Sequence, residues 1–146
     1  MAEPLSTRYI FQGLNEMVNS MLTNAGLPSG QLENLDSHST IAIEVKGLPE
    51  VMLSALDERL WLWCLLPHVT EHQLINYAQT VLPIMTKPIS GVEGGQLTLG
   101  MGENGYELKA LINLDILQHK DSLSPIFQSF VTQLRLLCQA LKIEKI

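Results

Sequence analysis

Apolar and polar positions alternate along this chain with two distinct periods, and the changes of period divide it into segments. Ile10, Phe11, Leu14, Met17, Val18, Met21 and Leu22 return at helical spacing behind Ser6 or Thr7, either of which can cap a helix. Gly26 and Pro28 mark where that helix should stop. The period then shortens to two: Ile41, Ile43 and Val45 alternate with Ala42 and Glu44, as in a strand with one buried face. Gly47-Leu48-Pro49 turns the chain, Val51 to Leu56 reads as a second strand, Asp57-Glu58 as a turn, and Arg59 to Leu66 as a third strand.

The third strand is apolar on both sides. Leu60, Leu62, Cys64 and Leu66 fall on one face and Trp61, Trp63 and Leu65 on the other, so both faces are expected to be covered. Thr70 with Gln73 three residues on has the form of a capping box. It opens a second helix through Leu74, Ile75, Tyr77, Ala78, Val81, Leu82, Ile84 and Met85, a stripe wider than one core contact needs. Pro83 inside it should kink or end the helix. Gln96 to Met101 and Tyr106 to Leu114 alternate again, joined by Gly102-Glu103-Asn104-Gly105, a hairpin signal. A last helix from about Ser124-Pro125 carries Phe127, Phe130, Leu134, Leu137 and Leu141 on one side and Gln128, Thr132, Arg135 and Gln139 on the other.

The predicted order is α-β-β-β-α-β-β-α: three helices on a largely antiparallel five-stranded sheet, class α+β. The length of 146 residues suits a single domain over 1–146. Hydrophobic residues make up 46% and charged residues 16%, which excludes a disordered chain and leaves apolar surface that calls for a partner. Stripes on the first and last helices read as core. On the third strand and second helix a partner interface explains the surplus as well as extra core does.

A net charge of −6 with no local basic cluster disfavours nucleic acid and anionic lipid. The run from Leu60 to Leu66 is too short to span a membrane as a helix, and the N-terminus lacks the form of a signal peptide. Cys64 and Cys138 lie in apolar runs and read as reduced core thiols, which suits the cytosol.

Three motifs invite chemistry. His68-Val69-Thr70-Glu71-His72 matches a zinc-protease pattern that needs both histidines one turn apart on a helix, yet Thr70 as cap puts His68 before the helix begins. Gly100 to Gly105 matches G-x-G-x-x-G, but a strand follows where a helix should, and Glu103 would oppose a phosphate. Asp36-Ser37-His38-Ser39 holds triad residue types as near neighbours in sequence, where they rarely converge on an oxyanion hole. No metal, cofactor or catalytic residue is assigned. A zinc-dependent hydrolase using the His68–His72 segment is the enzyme alternative, and a permanent subunit of a larger complex is a third reading.

Leu35-Asp36-Ser37-His38-Ser39-Thr40-Ile41, Arg59-Leu60-Trp61-Leu62-Trp63, Gly94-Gly95-Gln96-Leu97-Thr98-Leu99-Gly100 and Leu108-Lys109-Ala110-Leu111 resemble segments of the InvB/SpaK family of type III secretion chaperones, the class that serves several effectors. The likeness runs from about Asp36 to Asp115 and more loosely over both terminal helices. It implies a two-fold homodimer in the bacterial cytoplasm, centred on the second helix, for which Ile75, Ala78, Leu82 and Met85 are the expected contacts. It also implies secreted effector proteins as partners, each held by an extended, non-globular N-terminal segment and kept ready for export, with the secretion apparatus as a further partner. Uncovered sheet edges and the methionine-bearing first helix place the client groove on Leu14, Met17, Val18, Met21, Ile41 and Ile43.

Overall fold

Residues 18–21, 23, 40–57, 59–113, 115 and 122–143 are described by the computed structural model of the chain. Period-two alternation becomes five strands: β1 (Thr40–Ile43), β2 (Val51–Leu56), β3 (Arg59–Leu65), β4 (Thr98–Gly102) and β5 (Gly105–Leu111). They form one sheet in the order β1-β2-β3-β5-β4 with every neighbouring pair antiparallel. The class is α+β, as the sequence pattern predicts.

The turns between strands follow from local backbone needs. Leu48 N–H donates to the Val45 carbonyl at 3.0 Å, and Gly47 between them has φ 81°, a conformation in which a Cβ would be strained. Asp57 (φ 51°) reverses the chain between the paired Leu56 and Arg59. At the β4–β5 hairpin Gly102 pairs with Gly105. Positive φ falls there on Gly105 (132°).

One face of the sheet is core. Leu53, Leu62 and Ala110 stand side by side across β2, β3 and β5, and Cys64 stands beside Leu108. All are buried in one cluster with Phe127, Phe130, Leu134, Leu137 and Leu141. The last helix, Leu123–Ala140, carries Pro125 in its first turn and leaves Gln128, Thr132, Arg135 and Gln139 exposed. Helical residues 18–21 and 23 (α1) contribute Val18 and Met21 to the same core. The remaining residues assigned to the first helix, and its stop signals Gly26 and Pro28, lie outside the described residues.

The helix count differs from expectation: among the described residues there are four α-helices, not three. The second predicted helix is two, α2 (Glu71–Asn76) and α3 (Ala78–Met85), with the last helix becoming α4. The break is at Tyr77 (φ −107°, ψ 18°), whereas Pro83 sits inside α3. Thr70 forms the expected capping box, its hydroxyl accepting from Gln73 N–H while the Gln73 side chain accepts from Thr70 N–H. Gln73 Nε2 also donates to the Leu141 carbonyl at 3.3 Å, and Lys142 Nζ lies 5.4 Å from the Tyr77 ring centre. These contacts tie the α2–α3 break to the end of α4. Val81 is the buried residue that α3 adds to the core, and α2 adds none.

Candidate functional site

Because side chains alternate across a strand, burying Leu60, Leu62 and Cys64 forces Trp61, Trp63 and Leu65 to the opposite face. Among the described residues, the expectation that both faces of β3 are covered is met on one side only. Trp61, Trp63 and Leu65 are half-buried, because the helices supply the core on the other face.

The register completes this outer face. Met52 stands opposite Trp63 and Ser54 opposite Trp61 on β2, while Leu111 and Lys109 stand opposite the same tryptophans on β5. Two adjoining grooves result. One, of about 840 Å³, runs from the Glu44–Glu50 loop across Met52, Trp63 and Leu65 to Glu107. The second, of about 510 Å³, is floored by Leu56, Trp61 and Leu111 and edged by Asp57, Arg59, Glu107 and Lys109. No residue of α2, α3 or α4 lines either groove.

Trp63 is the wall between them, and a polar ladder fixes it. Its Nε1 donates to Ser54 Oγ at 2.9 Å, and Ser54 Oγ shares a hydrogen bond with Thr40 Oγ1, also at 2.9 Å. An aromatic ring held across three strands keeps its place with little further loss of rotamer freedom when a partner docks. The charges around it are largely self-paired: Arg59 with Glu93, and Lys109 with Glu107 at 3.1 Å. Sequence reasoning singled out the two tryptophans but not Met52, Leu56 or Leu111. Their signal is the strand register, which places them on the tryptophan face.

A second bare surface lies on α2 and α3. Ile75 is 65% exposed and Leu82 59%, with Ala78 and Met85 half-buried beside them. From Gln73 to Thr86 the chain carries no charged side chain. The four residues assigned to a dimer contact therefore lie on a stretch without charged side chains, with Ala78, Leu82 and Met85 at i, i+4 and i+7 along α3.

The residues assigned to a client groove are dispersed in burial. Val18, Met21 and Ile43 are buried in the core, and Ile41 is half-buried on the edge strand β1. Leu14 and Met17 lie outside the described residues.

The motif segments take the shapes their surroundings dictate. His68 occupies a turn with φ 61° ahead of the Thr70 cap, and His72 lies in the first turn of α2, so the two imidazoles are not one helical turn apart. Gly100 to Gly105 is the β4–β5 hairpin, with no helix N-terminus behind it. Asp36 to Ser39 lies outside the described residues. Among the described residues, no three of His, Cys, Asp and Glu stand close enough to hold a metal ion, and no helix is long and apolar enough to cross a membrane. The thiols of Cys64 and Cys138 are both buried and free. Burial, with Cys138 nearby, pushes Cys64 up to about 12, and burial, opposed by Arg135, pushes Cys138 up to about 11. Neither is poised as a nucleophile.

What the described residues offer is apolar surface left open on the outer sheet face and on α2 and α3. Two curated proteins named surface presentation of antigens protein SpaK, from Salmonella typhimurium and Salmonella typhi, are each 29% identical to it over 126 residues, spanning 86% of this chain and 93% of theirs. A profile of the invasion protein B family matches residues 26–103, a stretch that holds β1, β2, β3 with Trp61 and Trp63, and both α2 and α3. The chain belongs to the invasion protein B family.

Proposed function

We propose that this protein is a cytoplasmic type III secretion chaperone and not an enzyme: a homodimer that binds an extended N-terminal segment of secreted effector proteins and keeps it non-globular for export. The observation that carries this reading is apolar surface left open among the described residues at the Trp61–Trp63 face and the Ile75–Leu82 surface. Membership of the invasion protein B family supports it, as does the acidic balance of −6, which disfavours nucleic acid as the ligand.

The client is an unfolded chain, and its binding has a definite energetic requirement. Ordering each client residue costs about 1–2 kcal/mol of backbone freedom, and burying a Leu or Ile side chain returns about 1.5–3 kcal/mol. Apolar anchors must therefore recur every few residues along the bound segment. Strand addition at an open edge supplies main-chain hydrogen bonds between anchors, and β1 ends the sheet among the described residues. Leu14, Met17, Val18, Met21, Ile41 and Ile43 are the proposed client contacts. Of these, Ile41 is half-buried on β1, whereas Val18, Met21 and Ile43 are buried in the core. Ile75, Ala78, Leu82 and Met85 are the proposed contacts with the second copy.

Purifying the protein from its native host and identifying what it retains tests this reading. The expected outcome is a small set of secreted proteins, each lost from the chaperone when its N-terminal segment is deleted. Retention that survives that deletion, or retention only of folded apparatus components, contradicts it.

A further inference from the structure

Nothing local explains the break between α2 and α3. Sharp helix kinks arise at proline, at glycine, or where a side chain enters the backbone ladder. From Glu71 to Leu82 the chain has neither glycine nor proline, and Pro83 lies inside α3, well past Tyr77. Tyr77 itself takes φ −107°, ψ 18°, an allowed conformation that no tyrosine requires. Core packing grips the region lightly: α2 has no buried residue and α3 has Val81, with Leu74 and Tyr77 half-buried.

The contacts that meet the break come from the end of α4. Gln73 divides its amide, Oε1 accepting from Thr70 N–H at 3.1 Å in the capping box and Nε2 donating to the Leu141 carbonyl at 3.3 Å. Lys142 Nζ, 5.4 Å from the centre of the Tyr77 ring, is within reach of a cation–π attraction. Lys142 holds that place at φ 54°, with its N–H on the Gln139 carbonyl at 3.2 Å and Ile143 N–H on the Cys138 carbonyl at 2.9 Å. This is the left-handed close of a helix, where glycine fits with less strain but carries no cation to Tyr77. A strained backbone that is kept points to the work of its side chain. We infer that Leu141 and Lys142 form a latch that holds the helix broken at Tyr77, and that its release lets α2 and α3 join as one. The latch lies within one chain and does not depend on what covers the outer side of these helices.

The joined state is written in the same residues. Leu74 N–H donates to Thr70, Tyr77 N–H to Gln73 and Val81 N–H to Tyr77, as in one continuous helix, whereas among the described residues Ala78 and Gln79 do not donate across the break to Leu74 and Ile75. Those two hydrogen bonds would complete a helix from Glu71 to Met85. In it Ile75, Ala78, Leu82 and Met85 fall at i, i+3, i+7 and i+10, a single stripe that the break divides. A partner that docks on the whole stripe favours the joined helix by the difference in its affinity for the two states.

Backbone amide exchange of the full chain, read residue by residue by NMR, tests the latch. Lys142→Gly keeps the left-handed helix end and removes the cation, and Tyr77→Leu keeps an apolar side chain and removes the ring. In both variants the protection of Ala78 and Gln79 should rise at least about tenfold, as for amides newly bonded inside a helix. The urea midpoint of Lys142→Gly should stay at or above that of the wild type, because glycine suits φ 54°. Lys142→Arg and Tyr77→Phe retain cation and ring and should exchange as the wild type does. Wild-type protection of Ala78 and Gln79 in both disruptive variants would overturn the inference. So would lost protection from Leu74 to Tyr77 without a gain at Ala78 and Gln79, which makes these contacts a brace for α2 and not a latch. A Lys142→Arg chain that exchanges like Lys142→Gly shows that the cation over Tyr77 holds nothing, and overturns it too.

Discussion

Cys64 and Cys138 show what burial does to single residues in this core. Both thiols are held neutral, with values raised from an ordinary 9.0 to about 12 and about 11. Below pH 9 folded and unfolded chains alike keep these protons, and the full contribution to stability is present. From pH 9 to about 11 the unfolded chain loses thiol protons that the folded chain retains, so stability should fall as pH rises. Urea unfolding across that interval should show the fall, and a Cys64→Ala, Cys138→Ala double variant should show a shallower one. Equal slopes in the two proteins would contradict the assignment. The burial of these cysteines was legible in the sequence, since each stands in an apolar run. Trp63's hydrogen bond to Ser54 was not, because it joins residues whose register depends on where the β2–β3 turn closes the strands.

At the scale of elements, the start of α2 was readable and the break after it was not. Thr70 and Gln73 declare a capping box in four residues of sequence, and both of its hydrogen bonds form. Thr70→Ala should accordingly cost about 1 kcal/mol in chemical denaturation. His68→Ala and His72→Ala, at exposed positions in the same segment, should each cost less than about 0.5 kcal/mol and leave client binding unchanged. A histidine variant that abolishes binding would return the metal reading to consideration. The division at Tyr77 escapes sequence reading for a geometric reason. One residue leaving helical ψ re-aims the axis without adding or removing a residue, so the apolar period of Leu74, Ile75, Ala78 and Val81 runs on through it. Pro83 drew attention to the wrong position. Its ring and missing N–H act on the turn before it, and the helix accommodates them while the two helices separate earlier, where Lys142 lies over Tyr77.

For the whole molecule, short turns made the β1-β2-β3 meander and the β4–β5 hairpin predictable. The pairing of β5 with β3 is long-range and joins segments on either side of two helices, so no turn signal could supply it. That pairing creates the candidate surface, because it sets Leu111 and Lys109 beside Trp61 and Trp63, and among the described residues no helix lines the face of β3 away from the core. The surplus of apolar positions in the sequence thus foretold open apolar surface, while its location needed the fold. The central claim, that the protein holds a client as an extended chain, is tested most directly by hydrogen exchange on a purified complex with an effector. The account predicts one protected stretch in the client's N-terminal segment that is unprotected when free, with new protection on the chaperone at one strand edge and at the proposed client contacts of the first helix and β1. A client protected throughout as a folded globule, or a chaperone whose sheet edges exchange as in the free protein, would contradict it.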